Sequence, residues 1–375
     1  MNIFSKVVLP IFVVGLLAMA PDVADAQSCR AEPNQDKCSN DGGDGGTKGK
    51  PDKGGDDPVT LIPTYYTWMD PDVASAFDTA DTSLGGGSVT GVGTHLIILD
   101  NFSGDSITGN LDDTTRTQTH GEWTSLQTRL VAPGATFTNI DQPSGRGRDT
   151  SGVISDRFSG SGLQVVNLSF ALVDPAGTEL YGNYSLGNTL WDSLVAEADK
   201  GTAVFVKAAG NDGGATVTSD FVIPTLFGTA TYQPSLARLL LGSENVLFVG
   251  ALEENGTVAS KATLAAYSTQ AGTDAAGQYL VVGVEAGDYQ KYVGGGGCDT
   301  SLGTCLFGTS FAAPIVSGYA ALIGDKFNTA APADVVDQLL KTARTDTIAD
   351  YSENVHGQGE ACLFCALSPN SIPIP

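Results

Sequence analysis

Basic residues are scarce in this sequence. Across 375 residues, 19 Lys and Arg stand against 42 Asp and Glu, for a formal net charge of −23. No Lys/Arg cluster interrupts that excess, so phosphate-bearing partners are repelled; nucleic acid and anionic membrane surfaces are excluded as partners. Histidine is rarer still, with three in the whole chain. Only His356 stands near a cysteine pair, Cys362 and Cys365, which leaves a tetrahedral zinc site one ligand short. A phosphate loop is also missing. Gly49-Lys50 has Asp44 where that motif needs an earlier glycine, and Pro51 where it needs Ser or Thr. No apolar run reaches the ~20 residues of a spanning helix, and no repeat recurs at a period of roughly 20–50 residues, which excludes a solenoid.

What is present begins with an export signal. The apolar run Val7–Ala20 follows Lys6, contains Pro10, and precedes Ala24-Asp25-Ala26, whose alanines occupy the positions a signal peptidase reads. That layout predicts a signal peptide over residues 1–26 and a secreted or periplasmic chain free of the membrane after cleavage. Residues 27–59 are rich in Gly, Asp, Lys and Pro and are expected to form a flexible linker. A globular domain is expected over 60–368, with a short tail at 369–375. An even set of cysteines (Cys29, Cys38, Cys298, Cys305, Cys362, Cys365) in an exported chain suggests disulfides. Sequence proximity favours Cys29–Cys38, Cys298–Cys305 and Cys362–Cys365 while leaving the connectivity open; the last pair, a Cys-x-x-Cys, also suits redox chemistry.

Within the domain, short apolar runs at His95–Leu99, Leu163–Leu168, Ala203–Val206, Val246–Val249 and Tyr279–Val284 read as strands buried on both faces. Between them, Leu190, Trp191, Leu194, Val195 and Ala198 recur at helical spacing, with Gly201 at the expected C-terminal cap. A further helix is expected at Asp334–Arg344, approached by Pro332. Alternating strand and helix signals predict an α/β three-layer sandwich around a mostly parallel sheet.

The chemistry-bearing segments fall at the ends of these runs. Gly308-Thr309-Ser310-Phe311-Ala312-Ala313-Pro314-Ile315-Val316-Ser317-Gly318 follows a glycine-rich stretch (Gly294–Gly297, Gly303) and opens an apolar helix. A serine there has an unpaired backbone amide and the positive end of the helix dipole beside it; a plain N-cap serine would look similar. Ala208-Ala209-Gly210-Asn211-Asp212-Gly213 follows the third strand. Asp100 closes the first, and Thr119-His120-Gly121 starts a helix signal beyond it.

Gly-Thr-Ser-x-Ala-Ala-Pro-x-Val-x-Gly resembles the nucleophile motif of the subtilisin-like serine proteases. That resemblance implies Ser310 as nucleophile, His120 as base, Asp100 behind it, and Asn211 with the Ser310 amide as oxyanion donors, in the family's chain order. It implies a substrate cleft bordered by Asn167, Leu168 and Ser169 on one side and Ala209 and Gly210 on the other, with an extended peptide added along Asn167–Phe170. The chain departs from the family's pattern in places. Asn101-Phe102 follows Asp100 instead of a small residue and Gly, with Asp105 a fallback carboxylate; Glu122-Trp123 replaces Thr-His, and Phe170-Ala171 replaces glycines. Val131-Ala132-Pro133-Gly134-Ala135 resembles the turn into the family's next strand, and Val355-His356-Gly357-Gln358-Gly359 its closing turn. The function implied is a secreted, monomeric serine endopeptidase acting on protein or peptide substrates, with no cofactor required for chemistry. Family members often bind calcium, but no ligand loop for it can be matched here. Two rivals are a catalytically impaired peptide-binding relative and the serine-glutamate-aspartate acid proteases. The second needs an acid four residues after Glu122, where Leu126 stands.

Overall fold

The computed structural model describes residues 64–66, 68–78, 88–104, 106–141, 162–177, 189–225, 228–284, 306–368 and 372. The leader and linker, Asp105, the glycines at 294–297 and 303, and Cys29, Cys38, Cys298 and Cys305 lie outside them. So does most of the C-terminal tail.

The strands in chain order are β1 (His95–Asp100), β2 (Ser106–Gly109), β3 (Arg116–Thr119), β4 (Thr136–Asp141), β5 (Gln164–Leu168) and β6 (Asp174–Pro175), then β7 (Val204–Ala208), β8 (Phe221–Thr225), β9 (Gly228–Gln233), β10 (Val246–Leu252) and β11 (Tyr279–Gly283). Six of them form one sheet in the order β11-β10-β7-β5-β1-β4. Every pairing in it is parallel, so all six carboxyl ends open on one edge. The apolar runs read from sequence are the five strands from β11 to β1, and the Pro133-Gly134 turn leads into β4.

Alternation along the strands builds a core on each face. Leu96, Val165, Val204, Val206, Leu247 and Val249 point to one side, and Ile97, Leu99, Val166, Leu168, Phe205 and Phe248 to the other. Full burial of one such side chain is worth about 1.5–3 kcal/mol, so both faces must be covered. The helices that do so are α1 (Pro71–Phe77), α2 (His120–Val131), α3 (Thr189–Asp199), α4 (Ser235–Leu240), α5 (Thr309–Lys326), α6 (Pro332–Lys341) and α7 (Leu363–Leu367). α5 is apolar almost all round, with Phe311 to Gly324 buried, as befits a helix enclosed between the sheet and α2. Gly201 ends α3 with φ 66°, as a C-terminal cap requires. Two smaller antiparallel sheets, β2-β3 and β6-β9-β8, lie outside the main one.

Cys362 and Cys365 are joined by a disulfide at the start of α7. Among the described residues no helix is long and apolar enough to cross a membrane.

Candidate active site

Three adjacent strands, β1, β5 and β7, deliver the functional segments to the same edge, where open parallel sheets place their sites. Asp100 is the last residue of β1 and is 1% exposed. Its Oδ1 accepts from its neighbour's amide, Asn101 N (2.7 Å), and from His120 Nδ1 (2.7 Å); its Oδ2 accepts from Thr124 Oγ1 (2.8 Å). A carboxylate can only accept, so Nδ1 of the neutral ring carries the proton and Nε2 is left as a base.

His120 is the first residue of α2, and its position is fixed by the cap before it. Thr119 and Glu122 form a reciprocal capping box, which gives Glu122 a structural role. Trp123 is fully buried and donates from Nε1 to the Ile107 carbonyl of β2 (2.8 Å). The departure from the family's pattern after the histidine thus serves the cap and the β2-β3 hairpin. Phe102, the other departure, packs against Gly121, where a Cβ would lie 2.9 Å from its ring. Burial is the largest influence on the His120 ring and opposes its charge. The charge of Asp100 and the hydrogen bond to it outweigh that, and the pKa is raised above the ordinary 6.5.

Ser310 is the second residue of α5, after Gly308 with φ 115°, a turn that suits glycine alone. Thr309, beside it, anchors the helix start to the turn after β7. Its hydroxyl bonds with Gly210 N (3.0 Å), Gly210 O (3.1 Å) and Asn211 Oδ1 (3.1 Å), and its amide donates to Asn211 Oδ1 (2.9 Å). With Oδ1 occupied, Asn211 has its amide Nδ2 to donate. Among the described residues the Ser310 amide has no acceptor.

Pro314 is the sixth residue of α5, inside the helix. It lacks the N–H that would bond the Ser310 carbonyl, and Ser169 Oγ donates to that carbonyl instead (2.8 Å). The Ser310 hydroxyl in turn donates to the Ser169 carbonyl (3.1 Å). No hydrogen bond joins it to His120 here; the imidazole lies edge-on to the ring of the next residue, Phe311, with centroids 5.6 Å apart.

One part of the expected cleft is corrected. Asn167 and Leu168 were expected along its wall, but both are 0% exposed. β5 pairs with β1 through Ile98 and Leu99 and with β7 through Val206 and Lys207 at these positions. No edge is free there for an added strand. Asn167 instead ties the sheet to α5, donating to Ser169 Oγ (2.9 Å) and accepting from Ser317 Oγ (3.1 Å). The chain leaves the sheet at Ser169, so an accessible wall starts only beyond it. Ala209 and Gly210 border a recess that Ala171 and Asp212 also line.

Thr124, Thr309 and Lys207 were missed from sequence. Thr124 stands four residues after His120 on one helix face, a spacing that could have flagged it. Lys207 is a lone charge in an apolar strand. Among the described residues no three His, Cys, Asp or Glu side chains gather as metal ligands would, and no step below uses a metal.

The subtilase family's model matches residues 109–359, more than half of the chain. The chain belongs to the subtilase family of peptidases. The match takes in His120, Asn211 and Ser310 and begins after Asp100. Among solved structures, a lanthipeptide protease is 18% identical over 80% of this chain and 93% of its own, with a TM-score of 0.47. A protease from Pseudoalteromonas arctica PAMC 21717 is 18% identical over 81% and 95%, also at 0.47. A cold-adapted subtilisin-like serine proteinase is 20% identical over 72% and 88%, at 0.41. No curated protein gives a significant match.

Proposed function

We propose that this subtilase is a secreted serine endopeptidase using Asp100, His120 and Ser310, with Asn211 and the Ser310 amide as oxyanion donors. The observation that carries the reading is the 2.7 Å bond from His120 Nδ1 to Asp100 Oδ1, at the sheet edge where Ser310 opens its helix. Ser310 Oγ turns from the Ser169 carbonyl, gives its proton to His120 Nε2 and bonds to the substrate's carbonyl carbon. The π electrons move to oxygen, where Asn211 Nδ2 and Ser310 N–H meet the new charge. His120, now an imidazolium facing Asp100, protonates the leaving amine as the C–N bond breaks. Water, deprotonated by the same nitrogen, then frees the acyl group.

The substrate runs beside Ser169–Ala171, beyond the fully paired part of β5. The leader at 1–26 supports export, so the substrates are proteins or peptides outside the cytoplasm, met by a monomer without a cofactor. The test is fluorophosphonate labelling with casein cleavage. Wild type should be labelled at Ser310 and cleave casein; Ser310→Ala should do neither. A variant that cleaved at the wild-type rate would end the proposal. One observation favours a second reading, an inactive peptide-binding relative: the Ser310 hydroxyl rests on Ser169 and not on His120. An unlabelled wild-type serine with retained peptide affinity would select it.

A further inference from the structure

The recess beside the oxyanion turn holds a buried lysine with no ion-pair partner among the described residues. It is walled by Ala171–Val173 after β5 and by Ala209, Gly210 and Asp212 after β7, and it is partly open to solvent. Lys207 lines it from within β7, on the sheet face opposite α5, as alternation with Val206 and Ala208 dictates. It is 3% exposed. One of its three ammonium donors reaches the adjacent Ala208 carbonyl (2.6 Å), and no carboxylate of the described residues lies within ion-pair distance.

An unpaired ammonium in such a place is costly. Burial pulls its pKa down to about 7, far from a lysine's usual range. A structural lysine would be expected to find a carboxylate or point its head to water. This one does neither, and it borders space that a ligand can enter.

The recess lies where one substrate residue must sit. Ser169, whose carbonyl holds the Ser310 hydroxyl, stands two residues before the wall that begins at Ala171, and Gly210, next to Asn211, lines the other side. The side chain nearest both is that of the residue whose carbonyl Ser310 attacks. We propose that Lys207 is a specificity-determining residue that selects an acidic side chain, glutamate or aspartate, immediately before the cleaved bond. This rests on the peptidase reading above. A carboxylate there would take up the two idle donors in a charge-assisted hydrogen bond. A neutral amide of the same shape would leave the buried charge unpaired, and sites built around such groups discriminate strongly.

Two features oppose an anion, and both are weaker. Asp212 also lines the recess, but it is exposed at the rim, and partial burial raises its pKa, which favours its neutral form. The net charge of −23 acts from a distance, and beyond about 10 Å it is largely screened at 0.1 M salt.

The test compares peptides that differ only in the residue before the scissile bond: Glu, Asp, Gln and Leu. Wild type should cleave the Glu or Asp peptide with a kcat/KM about 10–100-fold above Gln, a range typical of discrimination at one pocket. Lys207→Met should bring that ratio to about one and favour Leu. The ratio in wild type should also shrink as pH rises and Lys207 loses its proton, which needs no variant. Fluorophosphonate labelling separates the two layers of the argument. A labelled, active enzyme that prefers Leu, or an acid preference unchanged in Lys207→Met, overturns this inference alone. An unlabelled serine overturns the peptidase reading, and this inference with it.

Discussion

Asp100 is held by three donors from three directions, and that constrains how His120 titrates. The Asn101 amide and Thr124 hydroxyl fix the carboxylate, so the ring meets a charge that cannot turn away. The net effect is a raised pKa despite burial. If His120 is the base, it must be neutral to accept the serine proton, so kcat/KM should fall as pH drops through a value above the ordinary 6.5. With only three histidines in the chain, the His120 resonances can be assigned and this measured directly by NMR titration. In Asp100→Asn the His120 titration should move to lower pH, and kcat should fall by on the order of 10⁴ as the wrong tautomer becomes favoured. A His120 titration unmoved by the substitution would show that Asp100 does not set the ring's charge.

At the scale of elements, the packing of α5 against α2 turns on one small residue. A Cβ added to Gly318 would come 2.4 Å from Val131 Cγ1, so the helices approach only because that position is empty. Gly318→Ala should destabilise the fold by about 1–3 kcal/mol through overpacking, read as a lower denaturation midpoint. Combined with Val131→Ala, the loss should be smaller than the sum of the two single losses, since the 2.4 Å clash with Cγ1 is then gone and only the one with Cβ at 2.7 Å remains. Strict additivity would refute the contact. This helix pair also shows what a sequence discloses. α5 was legible because its apolar residues and its Gly-Thr-Ser start are local, and β1, β5, β7, β10 and β11 were legible as apolar runs. The β2-β3 hairpin was not. Arg116-Thr117-Gln118-Thr119 carries no apolar alternation, and its pairing partner and the Trp123 anchor are set by tertiary contact. Strand β7 runs two residues beyond the apolar stretch, through Lys207, whose charge hides a position that neighbours on both sides hold in the sheet. Asn167 read as a cleft residue because its segment resembles the family's cleft strand, and only the pairing of β5 on both sides reveals that its edge is taken.

At the scale of the whole molecule, residues from near both ends of the domain meet at a buried charge cluster whose contribution to stability falls as pH rises. Asp70 caps α1 and lies 3.4 Å from Arg344 Nη2, which is 3.8 Å from Glu360 Oε2. Glu360 is 0% exposed, and its other oxygen accepts the Gly256 amide (2.7 Å). Two acids share one guanidinium, so one negative charge is in excess when both ionise. Burial, reinforced for Asp70 by the charge of Asp72, raises Asp70 to about 6; burial raises Glu360 to about 7. Groups whose folded pKa is raised hold protons that the unfolded chain releases. Their stabilisation is complete below about pH 4 and is lost as pH rises through about 6 to 7. For Glu360 the full swing is on the order of 3 kcal/mol, at about 1.4 kcal/mol per pKa unit. Glu360→Gln keeps the shape without the titration. Its Tm should fall less than that of wild type between pH 4.5 and 7.5, so the gap between the two should change with pH. A gap of constant size over that window would mean that Glu360 does not take up its proton in the folded state. With His120, the proposed base, losing its proton over the same rise in pH, proteolytic activity should climb as the stability contributed by Asp70 and Glu360 declines.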